Sequence, residues 1–230
     1  MSNERDLQSL YPFLHGNRQE PGRLDAALVD SIAHKARDSR AANERFFMEQ
    51  SPTLVAAAKS LAEVYRRDGR LFAMGNGGSS CDAAHVAVEF QHPVTAGRPA
   101  LAAVNLTADI AMLSAVGNDV GFEHVFVRQL VAHATARDAL IGFSTSGNSA
   151  NLIAAFAKAN ELGLATIGFA GGDGGRMKAA GIVDHCLVVP SDSIHRVQEC
   201  HVAAYHILWD LVHTLLADDR GSAAAEGSHS

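Results

Sequence analysis

Cysteine is scarce in this chain: Cys81, Cys186 and Cys200 are the only three among 230 residues, and no C-x-x-C spacing occurs. An odd, unpatterned set gives no disulfide framework, so all three read as small buried thiols. Basic residues are also few, with 19 Lys and Arg against 25 Asp and Glu for a formal charge of −6, and they do not cluster. Nothing here could track a phosphate backbone, which argues against nucleic acid as a partner. No uncharged apolar run reaches the length of a membrane span, and the N-terminal Met1-Ser-Asn-Glu-Arg-Asp-Leu7 lacks an apolar signal core. The expectation is a cytoplasmic protein that engages no membrane.

What is present is ordinary for a soluble domain, with 47% hydrophobic and 19% charged residues. The length suffices for one sizeable α/β domain with a full core, whereas two would be a squeeze. Residues 1–22 place Pro12, Gly16 and Pro21 among polar groups and read as a flexible arm; residues 23–219 read as one domain; residues 220–230, small and polar, read as a disordered tail. From 24 to 67 the apolar residues Leu24, Ala27, Leu28, Ile32, Phe46, Phe47, Leu54, Ala57, Ala58, Leu61 and Val64 recur at helical spacing. Ser51-Pro52 divides this stretch into two helices, since proline suits a helix start. Beyond residue 70, short apolar runs at 71–74, 101–104, 140–143, 165–169 and 186–189 alternate with helix-length stretches. That pattern predicts a five-stranded parallel sheet, flavodoxin-like and covered on both faces, with ligands bound beyond the carboxyl ends of its strands.

Three segments carry chemistry. The first runs from Arg70 to Gln91, where a strand leads into a loop with Gly75, Gly77 and Gly78 and then a helix from about Ser79 or Ser80. Bare backbone N–H groups and the helix dipole point together there, which makes an anion site. His85 and Glu89 then project from one face of that helix, four residues apart. A dinucleotide fingerprint fails, because Ser80 stands at the third glycine position and no acid follows some twenty residues on. A nucleotide phosphate loop fails too, for want of Gly-Lys-Ser or Gly-Lys-Thr.

The second segment is Ser144-Thr-Ser-Gly-Asn-Ser149, between a strand ending at Phe143 and a helix over 150–162 that Gly163 ends. Four hydroxyls at a helix N-terminus predict a phosphate cradle, because capping the helix would occupy only one of them. The third is a long amphipathic helix over 191–216 with Val197, Cys200, Ala204, Ile207, Leu208, Leu211 and Leu215 toward the core. Its first half is dense in polar groups, namely Gln198, Glu199, His201 and His206.

Taken together, the motifs Gly75-Asn-Gly-Gly-Ser79, Asp82, His85-x-x-x-Glu89, Gly117-Asn-Asp119, Ser144–Ser149, Asp173-Gly-Gly175 and Arg196-Val-Gln-Glu199 with His206 resemble the sugar isomerase (SIS) fold and, within it, the phosphoheptose isomerases. The resemblance implies an aldose–ketose isomerase that interconverts sedoheptulose 7-phosphate and D-glycero-D-manno-heptose 7-phosphate through an enediol. It implies one Zn²⁺ per subunit on His85, Glu89, Gln198 and His206, with Glu89 as general base and His206 as general acid. The phosphate would lie on Ser144, Thr145, Ser146 and Ser149, and the rest of the sugar against Asn76, Gly77, Gly78, Ser79, Glu89, Asp109, Asp173 and Gln198. A homo-oligomer, a tetramer with sites between subunits, is also implied. Gln198 and His206 are eight residues apart, roughly 12 Å along a regular helix, so both meet one ion only if their side chains extend toward it, the helix starts late, or another subunit lends one of them. The chain departs from the usual pattern at Phe90–Pro93, at Ile110-Ala111 and at Ala170–Gly172, all near where sugar hydroxyls or a neighbouring subunit would lie. The alternative is a non-catalytic SIS adaptor that binds a phosphosugar or a protein partner, like the replication-initiator-associating members of this branch, which tend to lose the metal and catalytic residues.

Overall fold

Period-two alternation of apolar side chains sorts each strand between two cores, and this is what makes the sheet a middle layer. The computed structural model describes residues 21–226, with side chains over residues 25–217. By contact the chain falls into two units, Met1–Arg40 and Ala41–Ser230. In element order it comprises α1 (Pro21–Arg66), β1 (Leu71–Gly75), α2 (Gly78–Gln91), β2 (Ala103–Asn105), α3 (Ile110–Asp119), a 3₁₀ turn (Phe122–His124), α4 (Val127–His133), β3 (Ala139–Ser144), α5 (Ala150–Leu162), β4 (Ala165–Gly171), α6 (Gly175–Ala179), β5 (His185–Val189) and α7 (Ile194–Glu226). The strands are parallel throughout in the order β2-β1-β3-β4-β5, the flavodoxin-like winding expected from the sequence.

Leu71 and Ala73 of β1, Ile141 and Phe143 of β3, Ile167 and Phe169 of β4, and Leu187 and Val189 of β5 pack under α1, α2 and α7. Phe72 and Met74 of β1, with Leu140 of β3, face the opposite way against Val116, Leu130, Leu152, Phe156 and Met177 from α3 to α6. Burial on both faces is why these strands carry few polar residues. Because β1 connects to β2 on one side and the chain returns to β3 on the other, the switch point falls at the carboxyl end of β1, where the glycine loop lies.

The structure corrects the sequence in four places. First, α1 does not stop at Ser51-Pro52 but runs through Pro52. The lost N–H costs about 3 kcal/mol. Continuing the helix, however, buries Leu54, Ala57, Ala58, Leu61, Ala62 and Val64, at roughly 2 kcal/mol for each large side chain. Second, Leu101 lies outside the sheet, because its N–H donates to the carbonyl of Phe90 at 2.8 Å and ties it to the end of α2. Third, Cys81 is exposed, on the side of α2 away from Ala83, Val86 and Phe90, and Ile207 is 40% exposed on α7. Fourth, α7 continues to Glu226, so residues 220–226 are helical where a disordered tail was expected. The run Ala223-Ala-Ala225 supplies strong helix formers there. Of the expected arm, Pro21 and Gly22 belong to α1, and residues 1–20 lie outside the described residues, as do residues 227–230.

Candidate active site

Three loops gather at the carboxyl edge of the sheet. The first follows β1, and in it Gly77 takes φ 53° as α2 opens at Gly78 with no side chain capping its N-terminus. Asn76 is held by a reciprocal amide pair with Asn151 of α5, its Nδ2 donating to Asn151 Oδ1 at 2.8 Å and its Oδ1 accepting from Asn151 Nδ2 at 2.9 Å. Asn151 is buried, and this pair fixes the glycine loop against the turn that follows β3.

That second turn is the hydroxyl cluster. Ser144 Oγ and Ser149 Oγ are 3.0 Å apart, and Ser149 makes no side-chain cap, so its hydroxyl is spent on Ser144 rather than on the helix end. The backbone behind it is braced by the third loop, after β4. Gly147 sits at φ +65°, and a Cβ there would lie 2.1 Å from the carbonyl oxygen of Gly174; no other residue fits. Asn148 Oδ1 accepts from the N–H of Arg176 at 3.0 Å, and Asp173 Oδ1 accepts from that of Gly175 at 2.9 Å. A pocket of about 500 Å³ opens between these loops, lined by Thr145, Ser146, Gly171, Gly172 and Asp173, and by Ser191, Asp192 and Ile194 from the segment that leads into α7. Ser191, Asp192 and Ile194 were not singled out from the sequence, since their approach depends on where β5 ends. Asp109, expected against the substrate, caps α3 by accepting from the N–H of Met112 at 2.9 Å.

A separate cluster lies along α2 and α7, which run side by side in the same direction at a nearly constant offset of 120 residues. Gly78 meets Gln198, where a Cβ on the glycine would stand 2.3 Å from Gln198 Nε2. His85 meets Tyr205 and His206, and the Trp209 indole N–H donates to the carbonyl of Glu89 at 2.8 Å. His85 Nε2 is 3.1 Å from Glu89 Oε1, and the rings of His85 and His206 cross at 82° with centroids 5.0 Å apart. Ligand atoms of His85, Glu89 and His206 all lie within 4.8 Å of one another, which is the convergence a single ion requires. Two imidazoles and a carboxylate suit Zn²⁺, so this set fits the expected metal. Gln198 is placed differently, over Gly78, about 10 Å along the helix axis from the level of His85. Among the described residues no hydrogen bond joins the His85–Glu89–His206 cluster to the hydroxyl turn.

The surroundings shift three groups. Burial pushes Asp82 up to about 6, and the nearby His85 partly offsets this; its Oδ2 is buried without a partner. Burial, with Asp82 and Glu89 adding to it, raises the Tyr205 phenol above its ordinary range. His201 is fully buried between Phe143 and Phe169 and driven down to about 4 by that burial, partly opposed by its contact with the Ala170 carbonyl at 3.4 Å. Of the residues that depart from the usual pattern, Phe90 is core, tilted against Tyr65 with centroids 5.6 Å apart, and Gln91 Nε2 donates to the carbonyl of Ala103 at 2.5 Å. Their place in the sequence is taken by packing.

No helix among the described residues is long and apolar enough to cross a membrane. Residues 36–171 match the family model of the SIS domain. The phosphoheptose isomerase of Roseiflexus sp. (strain RS-1) is 43% identical over 170 residues, covering 74% of this chain and 85% of the relative. That of Desulfovibrio desulfuricans is 42% identical over 202 residues, 87% of this chain and 95% of the relative. Among solved structures, the phosphoheptose isomerase of Neisseria gonorrhoeae superposes with a TM-score of 0.76 at 38% identity, covering 81% of this chain and 99% of that one. That of Francisella tularensis gives 0.77 at 31% identity, over 81% and 98%. With these motifs, this winding and likeness along most of its length, the chain belongs to the SIS domain family and, within it, to the phosphoheptose isomerases.

Proposed function

We propose that the chain interconverts sedoheptulose 7-phosphate and D-glycero-D-manno-heptose 7-phosphate. The observation that carries the reading is the convergence of His85, Glu89 and His206. It supports an enzyme over a phosphosugar-binding adaptor, for which an intact acid, base and ligand set would serve nothing.

The phosphate binds the turn formed by Ser144, Thr145, Ser146 and Ser149, where hydroxyls and the α5 N-terminus supply donors without a lysine. The remaining hydroxyls meet Asn76, Gly77, Gly78, Ser79, Asp109, Asp173 and Gln198. With the sugar in its open form, Glu89 takes a proton from C1 of the ketose while His206 protonates the C2 oxygen, giving the enediol. His206 then removes the proton from the C1 hydroxyl, and Glu89 returns its proton to C2, so both groups end as they began. A zinc ion held by His85, Glu89 and His206, the three ligands that converge, would supply Lewis-acid polarisation of the carbonyl. Asn151 keeps Asn76 in register with the hydroxyl turn. The working form is a cytoplasmic homo-oligomer, a tetramer; exposed Leu28, Val29 and Ile32 on α1 support association.

The test is conversion of sedoheptulose 7-phosphate by the zinc-supplied protein and by Glu89→Gln. Wild type should turn over, and the variant should lose about 10²- to 10⁴-fold while its circular dichroism stays unchanged. Inactivity of the wild type on this substrate and on other phosphorylated ketoses, or full activity of Glu89→Gln, would overturn the reading.

A further inference from the structure

A metal-binding imidazole must present one nitrogen to the ion and keep the proton on the other, so whatever touches the far nitrogen decides how readily the ring does this. In this chain the far nitrogen of His85 is Nδ1, and its partner is the Tyr205 hydroxyl at 2.6 Å. Nε2 points the other way, to Glu89 Oε1 at 3.1 Å. Tyr205 is 1% exposed and pinned by its ring, edge-on to Phe143 with centroids 5.8 Å apart and tilted against His206 at 4.8 Å. Its hydroxyl therefore has little freedom to leave His85. Nothing in the residue set implied by the family resemblance includes this tyrosine.

We infer that Tyr205 is the positioning residue of the His85–Glu89–His206 cluster, a hydroxyl that holds the His85 ring in place through both of its tautomers. With no ion present, Nε2–H donates to Glu89 Oε1, and Nδ1 accepts from the Tyr205 O–H. When an ion takes the Nε2 lone pair, the ring proton resides on Nδ1 and donates to the Tyr205 oxygen. A hydroxyl can be donor in the first state and acceptor in the second without moving its oxygen. A backbone carbonyl or a carboxylate in that position would favour only the second state. The neighbour of His206 on α7 is thus used to aim the histidine of α2, and the side-by-side register of the two helices makes that contact available.

This inference rests on the proposed metal site, and its test separates the two. Tyr205→Phe deletes one oxygen and keeps the ring. In metal-free protein with ¹⁵N-labelled histidine, wild-type His85 should show a single tautomer protonated on Nε2, which changes to Nδ1 protonation on adding Zn²⁺. In Tyr205→Phe the metal-free ring keeps its Nε2–H on Glu89, but the resonance of Nδ1, which no longer accepts a hydrogen bond, should move downfield toward that of a free imidazole nitrogen, and competition with a chromophoric chelator should give Zn²⁺ binding about 10- to 100-fold weaker. Thermal melting of the metal-free variant shows whether it is folded; if it is not, Tyr205→Met gives the same comparison with the hydroxyl also absent. Wild-type Zn²⁺ affinity together with an unchanged His85 Nδ1 resonance in the variant would overturn the inference. If wild type binds no Zn²⁺, the metal site fails, and the metal-free comparison of the Nδ1 resonance alone decides the role of Tyr205.

Discussion

Two buried titrating groups should conceal one another in the acid stability of this protein. His201 is driven from its ordinary 6.5 down to about 4, so between those values the unfolded chain holds a proton that the folded chain refuses. Its share of stability is complete above pH 6.5 and is lost as the pH falls toward 4. At about 1.4 kcal/mol per pH unit the loss comes to about 3 kcal/mol. Asp82 does the opposite: burial lifts it from 3.8 to about 6, so over that range the folded chain holds the extra proton. Its share is present below pH 3.8 and is lost as the pH rises through 6, again by about 3 kcal/mol. Between pH 4 and 6 both states carry one proton on this pair, on Asp82 when folded and on the His201 imidazole when unfolded, and the two slopes cancel. Each substitution should therefore expose the other group. Urea denaturation followed by the single tryptophan, Trp209, at pH 4, 5 and 6 with chelator present gives the comparison. Relative to wild type, Asp82→Asn should lose about 2 kcal/mol more on going from pH 6 to 4, and His201→Gln should lose about that much on going from 4 to 6, since the window ends at each folded-state value. Other carboxylates contribute equally to all three proteins and drop out of the differences. If both variants follow the wild-type pH profile, the burial argument is wrong for both groups.

Other outcomes follow from particular contacts. Gly147→Ala forces a Cβ onto the Gly174 carbonyl at a left-handed φ and should cost roughly 1–3 kcal/mol or more in the same denaturation assay. Asn151→Leu leaves the Asn76 amide without its partner and should cost about 1–3 kcal/mol while raising KM for the sugar phosphate. Pro52→Ala restores a helical N–H inside α1 and should stabilise by up to about 3 kcal/mol; destabilisation would mean that the helix is built around the proline. Dialysis against a chelator should abolish isomerisation of sedoheptulose 7-phosphate, and added Zn²⁺ should restore it.

The parallel sheet was legible because its strands are short apolar runs, each followed by a glycine or hydroxyl turn and then a helical period. The Ser144–Ser149 turn was legible for a local reason: four hydroxyls at one helix start exceed what capping needs. His85 and Glu89 could be paired from their spacing alone, whereas bringing His206 to them required the register of α2 against α7, a long-range fact. The same register placed Gln198 beside Gly78 and Tyr205 beside His85, and no periodicity within either helix encodes that choice. Asn151 was invisible because a polar residue in the first turn of a helix usually reads as capping, and its amide instead reaches across to another loop. Pro52 misled because a local preference for helix starts was outweighed by the side chains buried beyond it.

Residues that face each other across the two helices that carry the imidazoles are 120 positions apart in the chain, yet the helices lie abreast with matched steps. Sliding one past the other by a single residue would swing its side chains about 100° around the axis and scatter the cluster. The intervening strands therefore act as a gauge block: loops away from the Ser144–Ser149 and Gly171–Gly175 turns can lengthen or change, but the distance between the seats the strands offer the two helices cannot. The grouping of His85, Glu89 and His206 is therefore complete only once the last helix has docked.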